Sequence, residues 1–316
     1  MRTFDAATIR DAAPIDELLD AVEDAYRDVA AGRDRSPIRS RVEDPNGDLL
    51  VMPGLREGGA GTSVKVVTVV PANAERGLPT VQAVVLWLDT TTGEPIAVLD
   101  GTALTAMRTG AASGVGTRLL ARPDASVLAV IGAGGQADWQ VRAVSAARPI
   151  REVRVFSRTP SGRDAFAARL RADLGSAIRV IAAPSAEAAI RAADVVCCAT
   201  TSSEPVFDAA WLTPGAHVNG IGAFRLGMVE LPAELFSRAT LVAVDSRDAA
   251  LAEAGDLVAA IESGHFAADS LVEIGTVDRS WALNRDPEAI TVFKSVGLAI
   301  QDVAAAEVVM RHIEAR

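Results

Sequence analysis

The chain has 316 residues, with 31 Lys and Arg against 41 Asp and Glu and a formal net charge of −10. That length suggests two domains, and 49% hydrophobic residues with only 8 Phe, 4 Trp and 1 Tyr imply a core built from Ala, Val, Leu and Ile. An acidic chain without a basic cluster lacks the cationic footprint of a nucleic-acid binder, and no apolar run reaches the roughly 18 residues of a membrane span. The opening MRTFDAATIRDAAP carries no secretory apolar core, so a soluble cytoplasmic protein is expected.

Ile15, Leu18, Leu19, Val22, Tyr26 and Val29 recur at helical spacing after Pro14, and Gly32 ends the pattern. β-rich runs follow at 49–52 (LLVM), 62–70 (TSVKVVTVV) and 82–88 (QAVVLWL), and the turn TTTGEP precedes IAVLD. Leu104, Met107, Ala111, Val115 and Leu119 mark a second helix that stops near Pro123. From Ala125 the rhythm changes to short apolar strands at 126–132, 153–157, 178–182, 194–200, 216–222 and 240–246, separated by Ala-rich helical segments. Strands apolar on both faces, alternating with helices, predict an α/β fold with a doubly wound, Rossmann-type parallel sheet. After Pro287 a last helix is expected over roughly 295–313, with Val296, Ile300, Val303, Ala304 and Val308 on one face. The expected division is a mixed α+β domain from 1–120 and 290–316, into which the dinucleotide domain, 121–289, is inserted.

Metal and redox chemistry find little support. Cys197 and Cys198 are neighbours in an apolar run, where successive side chains point to opposite faces and do not form an ordinary disulfide. His217, His265 and His312 lie far apart without HxxxH or CxxC spacing, so no metal site is expected.

The strongest local motif is VLAVIGAGGQADWQ, in which Gly132, Gly134 and Ala137 fit G-x-G-x-x-G/A between a strand and a helix. Gly132 permits the sharp turn, Gly134 has no Cβ to block a pyrophosphate, and Ala137 lets helix and strand approach. Gly135 and Gln136 complete a loop whose helix N-terminus offers free N–H groups to phosphates. An NAD-preferring site has an Asp or Glu at the end of the next strand, whereas this chain has Ser157, Arg158 and Thr159. A hydroxyl and a guanidinium suit a 2′-phosphate, so NADP(H) is the expected cofactor, with NAD(H) as the alternative. Three cations stand out before that motif: Lys65 inside a valine run, Arg108 among small residues on a helix, and Arg39 in SPIRSRV. A buried lysine is costly unless paired, and beside a dinucleotide domain the three suggest a pocket for a carboxylate.

These residues lie in segments that resemble the ornithine cyclodeaminase/mu-crystallin family: VMPG at 51–54, VKVVTVVPANAERGLPT at 64–80, LDTTTGEP, DGTALTAMRTGAASG and TVFKSVGLAIQDVAAA. The resemblance runs through nearly the whole chain. It implies a Rossmann domain beside a substrate and dimerisation domain, a homodimer, and a small imino or amino acid as substrate. It also implies that Arg39, Lys65 and Arg108 hold the substrate carboxylate, with Arg41 able to replace Arg39 if the register shifts by two. Met52 of VMPG belongs to the same site by resemblance, and Lys65 and Arg108 are the expected catalytic residues. Thr109, Thr200 and Ser295 fall near the cofactor in the family pattern.

One departure bears on the chemistry. Cyclodeaminases of the family carry an Asp shortly after the V-N-x-x-G strand; here the segment reads VNGIGAFRLGMVEL, with Phe224 at the Asp position and Met228 at a Lys position. Phenylalanine cannot accept a proton or pair with an ammonium, so cyclodeamination loses its proton-handling group. Reduction of a cyclic imine needs no such carboxylate, and Phe224 offers an apolar wall for a ring. The segment resembles family members that reduce Δ1-pyrroline-2-carboxylate and Δ1-piperideine-2-carboxylate to L-proline and L-pipecolate. The expected activity is therefore an NADPH-dependent ketimine reductase. The competing readings are an alanine dehydrogenase-like enzyme acting on a 2-oxo acid and a mu-crystallin-like binder with little chemistry.

Overall fold

The computed structural model describes residues 1–315; Arg316, the end of the expected 290–316 segment, lies outside the described residues. The chain forms two compact units, Met1–Thr109 with Leu298–Arg316 and Gly110–Gly297. The divisions expected at 120/121 and 289/290 therefore shift, for two reasons. Helix Gly101–Leu120 is continuous across the first division, and its later half packs inside the second unit, where a Cβ on Gly116 would lie 2.6 Å from Phe293. Strand Thr291–Lys294 belongs to the sheet of the second unit.

The first unit contains β1 (Arg2–Phe4), β2 (Ser40–Asp44), β3 (Gly47–Leu55), β4 (Gly61–Val69), β5 (Val81–Asp89) and β6 (Pro95–Asp100). Their order is β1-β6-β5-β4-β3-β2, with β1 parallel to β6 and the other neighbours antiparallel. Burial alternates along β4, as the two-residue side-chain period of a strand requires: Ser63, Lys65 and Val67 are buried and Val66 is exposed. Met52 pairs with Lys65, which pairs with Val85 on its other side, so the three share the buried face. Helix Ala299–Glu314 packs on β3, on β4 and on helix Ile15–Ala30. It starts later than the expected 295. Ser295, Val296 and Gly297 are held outside it by the Asp245 carboxylate, which accepts from Ser295 Oγ (2.8 Å) and from the N–H groups of Val296 (2.9 Å) and Gly297 (2.8 Å).

The second unit contains β7 (Val127–Ile131), β8 (Glu152–Phe156), β9 (Arg179–Ala182), β10 (Val195–Cys198), β11 (His217–Gly220), β12 (Leu241–Val244), β13 (Val272–Glu273) and β14 (Thr291–Lys294). All neighbours are parallel, in the order β13-β12-β14-β11-β10-β7-β8-β9. Six of these strands were expected; β13 and the central β14 are additional. The chain winds outward from β7 in both directions, and such sheets bind ligands where the winding reverses, beyond the carboxyl ends of the two middle strands. Here those strands are β7 and β10. Cys197 and Cys198 are buried free thiols on β10, and burial pushes the Cys197 thiol up to about 12.

Candidate active site

The glycine loop begins where β7 ends. Gly132 has φ +110°, and a Cβ there would lie 2.5 Å from the Ala199 carbonyl oxygen and 3.3 Å from the Thr200 methyl. Only glycine fits, and Thr200 is thereby placed against the loop. Gly134 and Gly135 have no atom within 4 Å of an added Cβ, so the backbone between them is open to a ligand. The side-chain oxygen of Gln136 is shielded from water and has no hydrogen-bond partner among the described residues. Helix Ala137–Ala147 then starts with Ala137 fully buried, and its first N–H groups supply partial positive charge. An open glycine cradle and a helix N-terminus fit the phosphates of a dinucleotide.

At the end of β8 the Thr159 N–H donates to Ser157 Oγ (3.4 Å), and Thr159 is the N-cap of helix Pro160–Leu174. Arg158 between them is exposed. Ser295 is buried, and its hydroxyl is bound by Asp245.

A buried carboxylate that the sequence reading did not single out organises the ends of β10 and β11. Glu230 accepts from the N–H groups of Thr200 (2.5 Å), Gly222 (2.6 Å) and Ala223 (3.0 Å). Burial raises its carboxyl above the usual range, against the pull of Lys294. Lys294 Nζ donates to the Ala223 carbonyl (2.7 Å) and pairs with Asp256 at 3.3 Å, both ionic side chains being fully buried. These bonds fix the backbone that leads into Phe224, which is half-buried.

The first unit carries the cationic site. Lys65 on β4 and Arg108 on helix Gly101–Leu120 meet one carboxylate, that of Asp302: Lys65 Nζ lies 2.7 Å from Oδ2 and Arg108 Nε donates to Oδ1 at 3.0 Å. All three are buried, Asp302 completely. Arg108 also reaches the Gln301 side-chain oxygen at 3.5 Å, which accepts from the Leu298 N–H (2.6 Å), while the Gln301 amide donates to Tyr26 Oη (2.5 Å). Arg39, half-buried just before β2, acts on Lys65 through its field. The structure thus groups Arg39, Lys65 and Arg108, with Met52 beside Lys65; Arg41 lies on β2, and Thr109 is buried next to Arg108. Burial, helped by the Arg108 and Arg39 charges and opposed by Asp302, lowers Lys65 to about 7.

Lys65 and Arg108 set two cations against the one carboxylate of Asp302, and a carboxylate brought by a ligand would match the second. Asp302 and Gln301 escaped the sequence reading. Their signal was a pair of polar residues inside a segment, Ala299–Ala306, that is buried on every side. Among the described residues no group of three or more His, Cys, Asp or Glu could hold a metal ion, and no helix is long and apolar enough to cross a membrane.

Sheet order and glycine loop define a Rossmann-type dinucleotide protein, and its other unit carries a buried cationic site. More narrowly, the chain belongs to the ornithine cyclodeaminase/mu-crystallin family, whose model matches residues 4–316. It is 38% identical over 311 residues to the Δ1-pyrroline-2-carboxylate reductase of Bacillus cereus, covering 97% of this chain and 95% of the relative. It is 37% identical over 300 residues to the alanine dehydrogenase of Archaeoglobus fulgidus, covering 94% of this chain and 90% of that protein. The solved Thermococcus litoralis Δ1-pyrroline-2-carboxylate reductase, in complex with NADH and L-proline, is 33% identical with a TM-score of 0.93, covering 100% of this chain and 98% of the other.

Proposed function

We propose that this protein is an oxidoreductase that reduces the C=N bond of a small cyclic imino acid, Δ1-pyrroline-2-carboxylate or Δ1-piperideine-2-carboxylate, to L-proline or L-pipecolate. The observation that carries the reading is the pair of buried cations Lys65 and Arg108, both gathered on the single carboxylate of Asp302, with Arg39 near enough to act on Lys65 through its charge. Arg108 and Arg39 bind the substrate carboxylate and so fix the ring, which replaces a chance encounter by a held geometry. When bound, a reduced nicotinamide supplies a hydride whose electron pair becomes the new C–H bond at the imine carbon. Lys65 supplies the matching proton: the C=N π pair ends in an N–H bond, and the neutral amine regains its proton from water. A lysine near 7 is suited to that task at neutral pH. In a 2-carboxylate ring, the imine nitrogen and one carboxylate oxygen lie side by side, so one ammonium reaches both.

The glycine loop from Gly132 to Ala137 takes the pyrophosphate. Ser157, Arg158 and Thr159, with no carboxylate among them, favour NADPH over NADH by leaving a 2′-phosphate unopposed and giving it a guanidinium. The reductase from Thermococcus litoralis was solved with NADH, so the preference is a property proposed for this chain. Phe224 offers no proton acceptor, which speaks against cyclodeamination. A homodimer belongs to the same proposal. It is supported by the cross-strand row Val51, Val66 and Val84 on the outer face of the first unit's sheet, where Val66 and Val84 are exposed, and sedimentation of the purified protein checks it.

The test is NADPH and NADH oxidation by the purified protein with each cyclic imine, and with pyruvate plus ammonia. The proposal expects turnover of a ring and little with pyruvate. Turnover of pyruvate and ammonia alone would make the protein an amino-acid dehydrogenase; cofactor binding without turnover would make it a binder.

A further inference from the structure

We propose that Asp302 is the positioning residue of this reduction, holding Lys65 and Arg108 in place and keeping Lys65 an ammonium until the imine nitrogen takes its proton. The proposal rests on the reductase reading for its substrate, and on the structure for its geometry. Asp302 divides its two oxygens between the cations, Oδ2 to Lys65 Nζ and Oδ1 to Arg108 Nε. It sits on a buried turn that is itself anchored, because neighbouring Gln301 is bound by Tyr26 Oη and the Leu298 N–H. An ammonium has three donors. With one on Asp302, Lys65 keeps two for a ligand.

The composition of the chain points the same way. Of 31 cationic side chains only Lys65 and Lys294 are lysines, and both are completely or almost completely buried against an aspartate, Asp302 and Asp256. Every other cation is an arginine. A guanidinium keeps its proton throughout the working range, whereas a buried ammonium can release one. A position that must both bind an anion and give up a proton therefore needs lysine. Lys294 is occupied by a backbone carbonyl and Asp256, which leaves Lys65 as the lysine at the cationic site.

Three charges act on Lys65, each from a different segment of the chain. Arg108 comes from helix Gly101–Leu120, Arg39 from the segment before β2, and Asp302 from helix Ala299–Glu314. Burial and the two arginines favour the neutral amine, and Asp302 favours the ammonium. A substrate carboxylate adds a second negative charge, so the proton is held most firmly when the ring is bound and released as the nitrogen becomes an amine.

With only two lysines, protein labelled with 13C-lysine gives two signals to follow. The experiment titrates Lys65 in the wild type, Asp302→Asn and Asp302→Glu, assigning its signal with Lys65→Arg, and records kcat/KM for ring reduction from pH 5 to 10. In the wild type Lys65 titrates near neutrality. In Asp302→Asn its midpoint falls by about one pH unit or more, the usual effect of losing a close opposite charge. The high-pH limb of kcat/KM moves down with it, so the loss against wild type is several-fold greater at pH 8 than at pH 6. Asp302→Glu returns both readouts towards wild type.

A merely structural aspartate would lower the rate by one factor at every pH and leave the Lys65 midpoint alone. An unmoved midpoint in Asp302→Asn that still binds dinucleotide overturns the proposal, as does a rate profile that ignores a moved midpoint. If the Asn variant does not fold, Asp302→Ser carries the same titration, and an unmoved Lys65 midpoint in it overturns the proposal. The titration needs no substrate, so wild-type protein that reduces neither ring defeats the reductase reading separately.

Discussion

Gly134→Ala separates the binding of a dinucleotide from the integrity of the fold. No atom lies within 4 Å of the added methyl, and Gly134 is absent from the glycines with positive φ, so the folded protein accepts alanine without strain. Its unfolding free energy should stay within about 0.5 kcal/mol of wild type, with a slight gain because alanine restricts the unfolded chain. The methyl does occupy the space a pyrophosphate needs. Losing one or two hydrogen bonds to a charged group costs about 1.5–3 kcal/mol, which weakens dinucleotide binding roughly 10- to 150-fold. Gly132→Ala is the contrasting variant: φ +110° and an oxygen 2.5 Å from the new Cβ make it destabilising by more than about 1 kcal/mol. The assay pairs thermal unfolding with NADPH titration followed by fluorescence. A Gly134→Ala protein that is stable and binds NADPH as tightly as wild type would remove the loop from the cofactor site.

Three further variants test other parts of the account. Arg108→Ala should raise the KM for the imino acid at least 30-fold, since a buried charged contact is worth about 2–5 kcal/mol, while NADPH binding changes little; equal loss of both would make Arg108 structural. Arg158→Ala should weaken NADPH far more than NADH, and an unchanged ratio of the two dissociation constants would strip it of the phosphate role. Lys294→Met should cost about 3–5 kcal/mol in urea unfolding, because it leaves Asp256 and Glu230 buried without their cation. Adding Asp256→Leu should recover much of that loss; a double variant no more stable than the single one would refute the ion-pair explanation.

The second unit was legible because fully buried parallel strands leave apolar runs, and six of its strands announced themselves that way. β14 did not, since its four residues end in Lys294 and merge into what reads as the start of a helix. Only the fold reveals that Asp245 captures residues 295–297 and delays the helix to Ala299. Lys65 was visible as a charge in a valine run, but its partner was not. Asp302 lies 237 residues further on, in a helix whose apolar stripe alone drew attention. Glu230 escaped for a similar reason: its three partners are backbone N–H groups of two strand ends, which no side-chain pattern encodes. The lysine count was open to inspection from the start, and it acquires meaning only when both lysines prove to be buried.

The most direct test of the central claim is to follow deuterium from NADPH carrying it at both C4 positions into the product formed from Δ1-pyrroline-2-carboxylate. The account predicts L-proline with a single deuterium, located at C2, formed in step with NADPH oxidation. Proline without deuterium at C2, or NADPH oxidation without proline, would contradict direct hydride transfer to the imine carbon.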